Sequence, residues 1–493
     1  MRIRLPLRTA GGALLFFAMF PLIPFVYALS NGEDMAGFLI ASCLSALCGA
    51  SLRYRSMHGC ETCVPHQKIR IRDGHLIAAV VWPVACVVGA IPFYVSGMPA
   101  LDALFESVSG LTGTGLTAAD SVSLFSRSDL LWRAVLHWAG GMGIIVFAAG
   151  ILGGIGTVGR PAFESISEAA RTRSEHVAYA LCHIYLLLTG LCAACLYISG
   201  MQLFDAFAYA GSLLGAGAFA PNDGGLSAYR DNGYVLSTAA VFMVAAGGSF
   251  YFYAALPLKR LSRVYKDAET FVYLKLLSAG LVTAALFYVI SYGFTIGEHD
   301  TAFLETLFAN LFSYLSLQTG SGLVIADDSH AASGLHVLFL AAMCIGGCAV
   351  SATGGLKAER VFILFEAAKR ELRRAIHPEV VTPVTSGGRT VSEEVVHATS
   401  AFFFLYMAVY VAALLGFSYA GLTTEEAVIL SAATLANVGG AFSSFGLDYD
   451  VLGSGAKSIA MLAMLMGRLE ILTFLLLFTS VFRDGYRTKE YKK

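Results

Sequence analysis

Long apolar runs recur along the whole chain and are separated by short polar segments. A run of about 20 apolar residues matches the hydrocarbon core of a bilayer when it is helical. Charged residues make up only 14% of the 493 positions, against roughly 25% in a soluble domain. We therefore predict an all-α membrane protein with little room for a soluble domain. The formal net charge of −1 gives no global basic field, which argues against nucleic acid as a partner.

Basic residues are concentrated in every second loop. By the positive-inside rule these loops face the cytoplasm, and the alternate loops, acidic or nearly free of charge, face outward. Arg2, Arg4 and Arg8 resemble the start of a signal peptide, but the apolar run after them continues to about Leu29 without a clear cleavage site, so we expect a retained first span. The basic clusters lie at 2–8, 53–72, 160–173, 259–266, 357–374 and 483–493.

Four short segments rich in glycine or alanine lie between apolar runs, on the predicted outer side. They recur about every hundred residues, a gene-repeat scale, if Gly115, Ala218, Gly322 and Gly439 are equivalent. Glycine tolerates positive φ, so such a turn can direct its carbonyls one way. A ring of carbonyls at membrane depth can replace the hydration shell of an alkali ion. Each repeat is predicted to hold an outer helix, a half-crossing pore helix, a filter segment and an inner helix.

The predicted organisation has five parts. Residues 1–74 hold two leading transmembrane helices and a basic loop, and the repeats follow at 75–175, 176–268, 269–394 and 395–493. The predicted helices are, for the leading pair, 10–29 and 35–52; for the outer helices, 75–98, 176–199, 270–294 and 396–419; for the pore helices, 102–112, 203–214, 301–317 and 424–435; and for the inner helices, 129–152, 233–256, an interrupted 334–375 and 455–482.

The predicted pore helices carry start signals. Asp102 and Asp300 are candidate N-caps, and Thr423 with Glu426 fits a capping box. Acidic groups complement the positive end of a helix. The opposite, partially negative ends would then point at the pore axis and favour a cation.

Three motifs resemble the Trk/Ktr/HKT superfamily of potassium transporters, with most similarity to its bacterial TrkH/TrkG branch. They lie at 112–117, 346–357 and 467–471. The resemblance covers the four repeats and the leading helices, and implies four membrane-pore-membrane repeats around one pathway. It also implies potassium uptake across the bacterial inner membrane rather than an enzyme activity, with potassium as substrate and no bound cofactor. The implied partners are membrane lipid, a second copy in a homodimer, and a cytosolic nucleotide-binding regulatory subunit of the TrkA type.

The resemblance further implies that one glycine per repeat lines a selectivity filter. Ala218 departs from this pattern, and Gly217 is the alternative if the alignment is shifted by one residue. An L-residue at positive φ costs roughly 1–2 kcal/mol, so we expect a distorted quadrant at Ala218, which leaves potassium selectivity over sodium open. The implied filter residues are Thr114, Gly115, Gly217, Ala218, Ser321, Gly322, Asn437, Val438 and Gly439.

Two features are predicted to lie below the filter. Gly346, Gly347, Gly354 and Gly355 interrupt an inner helix, and irregular backbone at membrane depth is tolerated only when it is buried or lines a cavity. Arg468 lies inside an apolar run, where a charge normally faces a cavity or a partner. The resemblance implies an intramembrane gate and a cation-repelling arginine; a packing kink and a structural ion pair are the alternatives.

Cysteine and histidine residues suggest little further chemistry. The ten cysteines mostly lie inside apolar runs, which indicates small buried side chains rather than a disulfide framework. His58, Cys60, Cys63 and His66 could supply a tetrahedral zinc site, although the spacing is too tight for a standard finger, and an ordinary loop is the alternative. His137, His183 and Trp138 are interpreted as packing or interfacial residues.

Three alternatives to potassium uptake stay open at this point. One is a sodium-permeable or weakly selective transporter for monovalent cations, suggested by Ala218. Another is a proton-coupled carrier or symporter, for which Glu106 and Glu470 are the candidate intramembrane acids. A membrane enzyme using Cys60 and Cys63 is a third, and no catalytic constellation supports it. The sequence leaves the regulatory nucleotide open.

Overall fold

The computed structural model describes residues 4–57, 71–119, 121–152, 174–255, 268–292, 300–325, 333–379, 382–386, 389–440, 444–445, 452–471 and 473–474. The segment with His58, Cys60, Cys63 and His66 lies outside the described residues, so its predicted metal chemistry is untested. The basic clusters at 160–173, 259–266 and 483–493 also lie outside them.

The leading helices form a hairpin with a break in its first arm. The first span was predicted as one helix, but it is two, α1 (Arg4–Phe17) and α2 (Leu22–Asn31), followed by α3 (Ala36–Met57). The break is at Pro21, which precedes α2 and has no N–H to continue a helix. A Cβ added to Gly11 would lie 2.6 Å from the carbonyl oxygen of Gly49. Small residues therefore bring α1 and α3 together, as is common between membrane helices.

Each repeat contains the predicted outer, pore and inner helices. The outer helices are α4 (Ile71–Val95), α7 (Ser174–Ile198), α11 (Ala268–Tyr292) and α15 (Glu393–Tyr419). The pore helices are α5 (Ala100–Thr112), α8 (Leu203–Gly215), α12 (Asp300–Gln318) and α16 (Thr424–Ala436). The inner helices are α6 (Arg127–Leu152), α9 (Gly233–Gly247) with α10 (Phe250–Ala255), α13 (Ser333–Ile345) with α14 (Ala358–Ile376), and α17 (Ser454–Arg468). Two short strands, β1 (Thr385–Ser386) and β2 (Arg389–Thr390), pair antiparallel between α14 and α15.

The described residues contain seven helical spans long and apolar enough to cross a membrane, if α1 and α2 are taken together as the span Leu5–Asn31. Three further apolar helices are shorter, at Leu203–Gly215, Gly233–Gly247 and Gly334–Ile345. A pore helix of 13 residues, such as α5, is about 20 Å long and cannot cross the roughly 30 Å hydrocarbon core. The predicted all-α membrane class is confirmed.

Each pore helix packs against the inner helix of the preceding repeat. Thus α8 contacts α6, α12 contacts α9, and α16 contacts α13. The cycle closes because α5 contacts α17, the inner helix of the fourth repeat. The four repeats therefore form a closed ring around one axis.

One of the three predicted pore-helix starts needs correction. The N-cap of α5 is Pro99, and Asp102 lies in the first turn, where it accepts a 2.6 Å hydrogen bond from Lys457 Nζ of α17. Asp300 is the first described residue of α12, so its role as an N-cap stays a prediction. The capping box is confirmed, because Thr423 N donates to Glu426 Oε2 at 2.7 Å and Glu426 N donates to Thr423 Oγ1 at 3.4 Å.

Two inner helices are interrupted where the prediction has one continuous helix. The second is interrupted between Gly247 and Phe250, where Gly248 is extended with ψ 168°. In the fourth, α17 ends at Arg468 and is followed by Glu470 in a left-handed conformation, with φ 58°, and Ile471 is helical again. Arg468 is therefore the last residue of α17, and the predicted continuation over 475–482 lies outside the described residues.

Candidate functional site

The four segments predicted to form a filter begin with the same backbone turn. Each pore helix is followed by a residue with positive φ, whose amide N donates to the carbonyl three residues earlier. These residues are Gly113 (φ 73°), Ala216 (φ 51°), Gly320 (φ 75°) and Asn437 (φ 56°). Counting two residues onward from each brings Gly115, Ala218, Gly322 and Gly439 to equivalent positions.

Ala218 does not carry the predicted strain. Among the described residues with positive φ, the alanine is Ala216, two positions earlier, with φ 51° and ψ 57°. The prediction of a positive φ at Ala218 is therefore wrong. The conformational cost of roughly 1–2 kcal/mol is at Ala216, because the turn becomes left-handed immediately after the pore helix and not at the level of Ala218.

The four equivalent positions converge on one axis. A Cβ added to Gly115 would lie 2.5 Å from the amide N of Ala218, and one added to Gly322 would lie 3.0 Å from the Cβ of Ala218 and 3.3 Å from Gly439 N. Gly439 N in turn donates a 2.6 Å hydrogen bond to the carbonyl of Thr114. Backbone atoms of the four repeats thus meet at one level, with the Ala218 methyl group among them.

Buried polar side chains pack around the positions at which the four segments meet. Thr114 is fully buried, and its Oγ1 lies 2.8 Å from Thr112 Oγ1. Asn437 Nδ2 donates to Thr114 Oγ1 at 3.1 Å and to the carbonyl of Met464 at 3.0 Å. The Asn437 side chain therefore joins the first and fourth filter segments to α17. Ser321 and Val438, at the position of Thr114 in their repeats, are also buried.

The segment between α13 and α14 is an ordered, buried loop. Gly346 and Gly355 have φ values of 68° and 79°, which only glycine adopts readily. Thr353 Oγ1 accepts a 3.1 Å bond from Gly347 N, and the carbonyl of Thr353 accepts a 2.5 Å bond from Lys357 Nζ.

This loop lies directly against two filter segments. A Cβ on Gly320 would lie 3.3 Å from the Cβ of Thr353, and one on Gly354 would lie 3.0 Å from Asn437 Oδ1. The loop therefore does more than kink a helix, because its buried backbone is packed under the converging turns.

Arg468 lies between the loop and the first filter segment. Its side chain is 3% exposed, and Nη1 donates a 2.5 Å hydrogen bond to the carbonyl of Ala352. A Cβ on Gly113 would lie 3.4 Å from Nη1. Within the described part of the chain, Arg468 Nε and Nη2 have no hydrogen-bond partner.

Glu470 does not neutralise Arg468. It accepts a 2.8 Å bond from Arg360 Nη2 of α14. A cavity beneath the loop is lined by Arg468, Lys357, Glu470 and His75 among others. The guanidinium thus places an unpaired positive charge beside this cavity, as far as the described residues extend.

Sequence reasoning singled out Glu106 as a candidate intramembrane acid but missed the polar cluster around it. Glu106, in α5, is fully buried; it accepts hydrogen bonds from Thr117 Oγ1 and from Ala118 N (3.2 Å), and its Oε2 lies 3.7 Å from Arg133 Nε. The available signal was the pair Arg133 and His137, four residues apart in the apolar helix α6. Side chains at this spacing lie on one face of a helix.

The fold and this arrangement define a class: a transport protein that spans the membrane many times, built from four membrane-pore-membrane repeats. The family model of the TrkH cation transport proteins matches residues 38–485. The chain therefore belongs to the TrkH family of cation transport proteins, which are transporters and not enzymes.

Characterised relatives resemble the chain over nearly its full length. The Trk system potassium uptake protein TrkH of Halomonas elongata is 32% identical over 494 aligned residues, covering 98% of this chain and 99% of the relative. The Trk system potassium uptake protein TrkG of Escherichia coli is 31% identical, covering 84% and 86%. The crystal structure of the potassium transporter TrkH from Vibrio parahaemolyticus superposes with a TM-score of 0.84 at 31% identity, covering 98% of this chain and 100% of that structure.

Proposed function

We propose that this protein takes up potassium across the bacterial inner membrane through the axis on which its four filter segments converge. The observation that carries the proposal is the closed ring of backbone contacts at Gly115, Ala218, Gly322 and Gly439. The relatives named above as potassium uptake proteins support the choice of ion.

The ion enters from the outer side and exchanges its water for backbone oxygens at the filter. The pore-helix C-termini add partial negative charge around it, and carbonyl dipoles stand in for the hydration shell. The ion then passes the buried loop and Arg468 to reach the cytoplasm. The proposed filter residues are Thr114, Gly115, Gly217, Ala218, Ser321, Gly322, Asn437, Val438 and Gly439, and the proposed gate is formed by Gly346, Gly347, Gly354, Gly355 and Arg468.

Selectivity for potassium over sodium is proposed because the sodium-permeable alternative depended on strain at Ala218, and Ala218 does not have a positive φ. The second quadrant still differs from the first and the third. Gly115 and Gly322 have φ values of 81° and 66°, whereas Ala218 lacks a positive φ and carries a methyl group.

Passage is proposed to be channel-like rather than proton-coupled. Glu106 is buried against Arg133, Thr117 and Ala118, and Glu470 is paired with Arg360. Both candidate carboxylates are held by partners, so neither is free to carry protons along the pathway.

Regulation is proposed to act through α14, which directly follows the buried loop. The C-terminal half of α14 exposes Lys369, Arg373 and Arg374 beside the apolar side chains of Phe365 and Leu372. This mixed basic and apolar surface suits a cytosolic TrkA-type subunit. A movement of α14 would be transmitted to the gate through Lys357. The assembly is proposed to be a homodimer.

Growth rescue tests the function. An uptake-deficient bacterium on limiting potassium should grow when it expresses this chain, and excess sodium should leave that growth unchanged. Rubidium tracer uptake into proteoliposomes then measures the same activity with purified protein. A chain that is folded and inserted, yet moves neither potassium nor rubidium, would refute the proposal.

The position of the strained alanine is testable by paired substitutions. Ala216→Gly removes a left-handed L-residue and is expected to stabilise the protein by about 1 kcal/mol, seen as a higher thermal-unfolding midpoint in detergent. Ala218→Gly should not raise the midpoint, and its potassium-to-sodium selectivity should stay within about twofold of wild type, since no strain is relieved. If Ala218→Gly raised the midpoint and Ala216→Gly did not, the strained residue would be Ala218 and not Ala216.

A further inference from the structure

His137 bridges two repeats immediately behind the filter. It lies in α6, the inner helix of the first repeat, and is fully buried. Its Nδ1 is 2.7 Å from the carbonyl oxygen of Gly110, in the last turn of α5. Its Nε2 is 3.1 Å from the backbone N of Phe219, the residue that follows Ala218 in the second filter segment.

The two hydrogen bonds determine the state of the imidazole. A backbone N–H can only donate, so Nε2 must be the unprotonated acceptor. Nδ1 then carries the hydrogen and donates it to Gly110. A neutral ring in this tautomer satisfies both contacts, and its rigidity fixes the separation of the donor and acceptor atoms.

The imidazole also packs against Gly217 and Phe219, the two residues that flank Ala218 in the chain. Its ring is stacked on Phe219, with centroids 4.3 Å apart and planes inclined by 8°. On the other side, a Cβ added to Gly217 would overlap the imidazole, lying only 2.8 Å from its Cγ. Gly217 therefore has no space for a side chain because His137 occupies it.

Arg133 lies one helical turn before His137 in α6 and also packs against Phe219. Its guanidinium carbon is 4.0 Å from the centroid of the Phe219 ring. Arg133 also contacts Glu106, which holds the first filter segment at Thr117 and Ala118. One face of α6 thus contacts Phe219 directly, and it reaches the residues that follow the first filter position through Glu106.

The third repeat holds the equivalent residue through its other backbone group. There, Ser316 Oγ of the pore helix donates a 2.8 Å bond to the carbonyl of Leu323, the equivalent of Phe219. Ser109 and Ser212 are the matching serines of the first and second repeats, and neither Oγ has a hydrogen-bond partner among the described residues. In the second repeat a side chain holds the amide N of Phe219 instead, through its bond to His137.

We propose that His137 is a positioning residue of the ion pathway, which holds the second filter segment so that its carbonyls keep their distance from the axis. This inference rests on the proposed potassium uptake. Selectivity depends on the number and placement of the coordinating carbonyls. Releasing Phe219 would therefore lower the preference for potassium over sodium more than it lowers total uptake.

Two substitutions separate the two hydrogen bonds of His137. In His137→Gln the longer side chain can place an amide oxygen near the position of Nε2 and accept from Phe219. In His137→Asn the shorter amide can donate to Gly110 but cannot reach Phe219. We expect the potassium-to-sodium ratio to stay within about twofold of wild type for His137→Gln and to fall about tenfold for His137→Asn, because Asn leaves the Phe219 N–H without its acceptor and frees the second filter segment to move.

His183 supplies the matched control. It is an exposed histidine of α7, and its Nδ1 contacts the carbonyl of Tyr179 in the same helix at 2.7 Å. His183→Gln and His183→Asn should both keep the wild-type ratio. The measurement is rubidium uptake into proteoliposomes containing the full chain, competed by potassium or by sodium at matched ionic strength.

The outcomes of this experiment are distinguishable. A wild-type chain that moves no rubidium defeats the proposed function, and the inference with it. Selective uptake by wild type with an unchanged ratio in His137→Asn overturns the inference alone, and an equal fall in His137→Gln and His137→Asn overturns the role of the Phe219 bond. If His137→Asn is not monodisperse, Gly217→Ala displaces the ring from the other side and should lower the ratio similarly; an unchanged ratio there overturns the inference.

Discussion

Replacing Arg468 by alanine is expected to raise potassium uptake about tenfold, because a positive charge a few ångströms from the ion path, at an effective dielectric constant near 20, adds a barrier of a few kcal/mol. The structure places this side chain 3% exposed, bonded to Ala352 of the loop. Its substitution removes both the charge and a hydrogen bond that holds the loop in place. Both effects open the pathway, so they reinforce each other.

Two further substitutions at this position separate charge from size. Arg468→Met keeps a long side chain without the charge and should behave like Arg468→Ala. Arg468→Lys keeps the charge and should stay near wild type. Arg230→Ala, which removes an exposed arginine of the outer surface paired with Glu305, should leave rubidium uptake unchanged. If Arg468→Ala and Arg468→Met both move rubidium at the wild-type rate, Arg468 does not limit conduction.

Replacing Gly115 by alanine is expected to lower uptake at least about a hundredfold, because the substitution adds strain and a steric clash at once. Gly115 has φ 81°, a conformation that L-residues rarely adopt. The added Cβ would lie 2.5 Å from Ala218 N, a backbone atom that can move away only by widening the filter. The protein should still fold, since the change is confined to one turn.

Two glycine controls isolate the cause. Gly32→Ala introduces a side chain at φ 69°, and Gly190→Ala introduces one within a helix; neither Cβ would have any atom within 4 Å. Both should keep wild-type uptake in the rubidium assay. A normal monodisperse elution of Gly115→Ala would show that uptake, not folding, is lost. Wild-type uptake by Gly115→Ala would mean that ions do not pass this level.

The local features of this fold could be predicted from sequence because their causes are local. Each pore helix was placed within about two residues of its observed bounds, a usual error for helix ends. The capping box at Thr423 and Glu426 is an example, since both partners lie within one helical turn. The register of the four filter segments also followed, because each is counted from the end of its own pore helix.

Other features could not be predicted in this way. Ala216 rather than Ala218 takes the left-handed conformation, at the end of its own pore helix, and Arg468 ends α17. His137 was interpreted as a packing residue, yet both its ring nitrogens bond to backbone from two different repeats. Its partner Phe219 is 82 positions away, and no local pattern links the two.

The sequence by itself determined that the chain is an all-α membrane protein with four repeats, since apolar run lengths, helix caps and loop charges act over a few turns of one helix. Tertiary structure alone decided how α17 closes the ring on α5, which atoms of Arg468 are left unpaired, and what lies behind the second filter segment. Those outcomes depend on contacts between segments 82 or more residues apart. Such contacts form only when whole helices pack against each other.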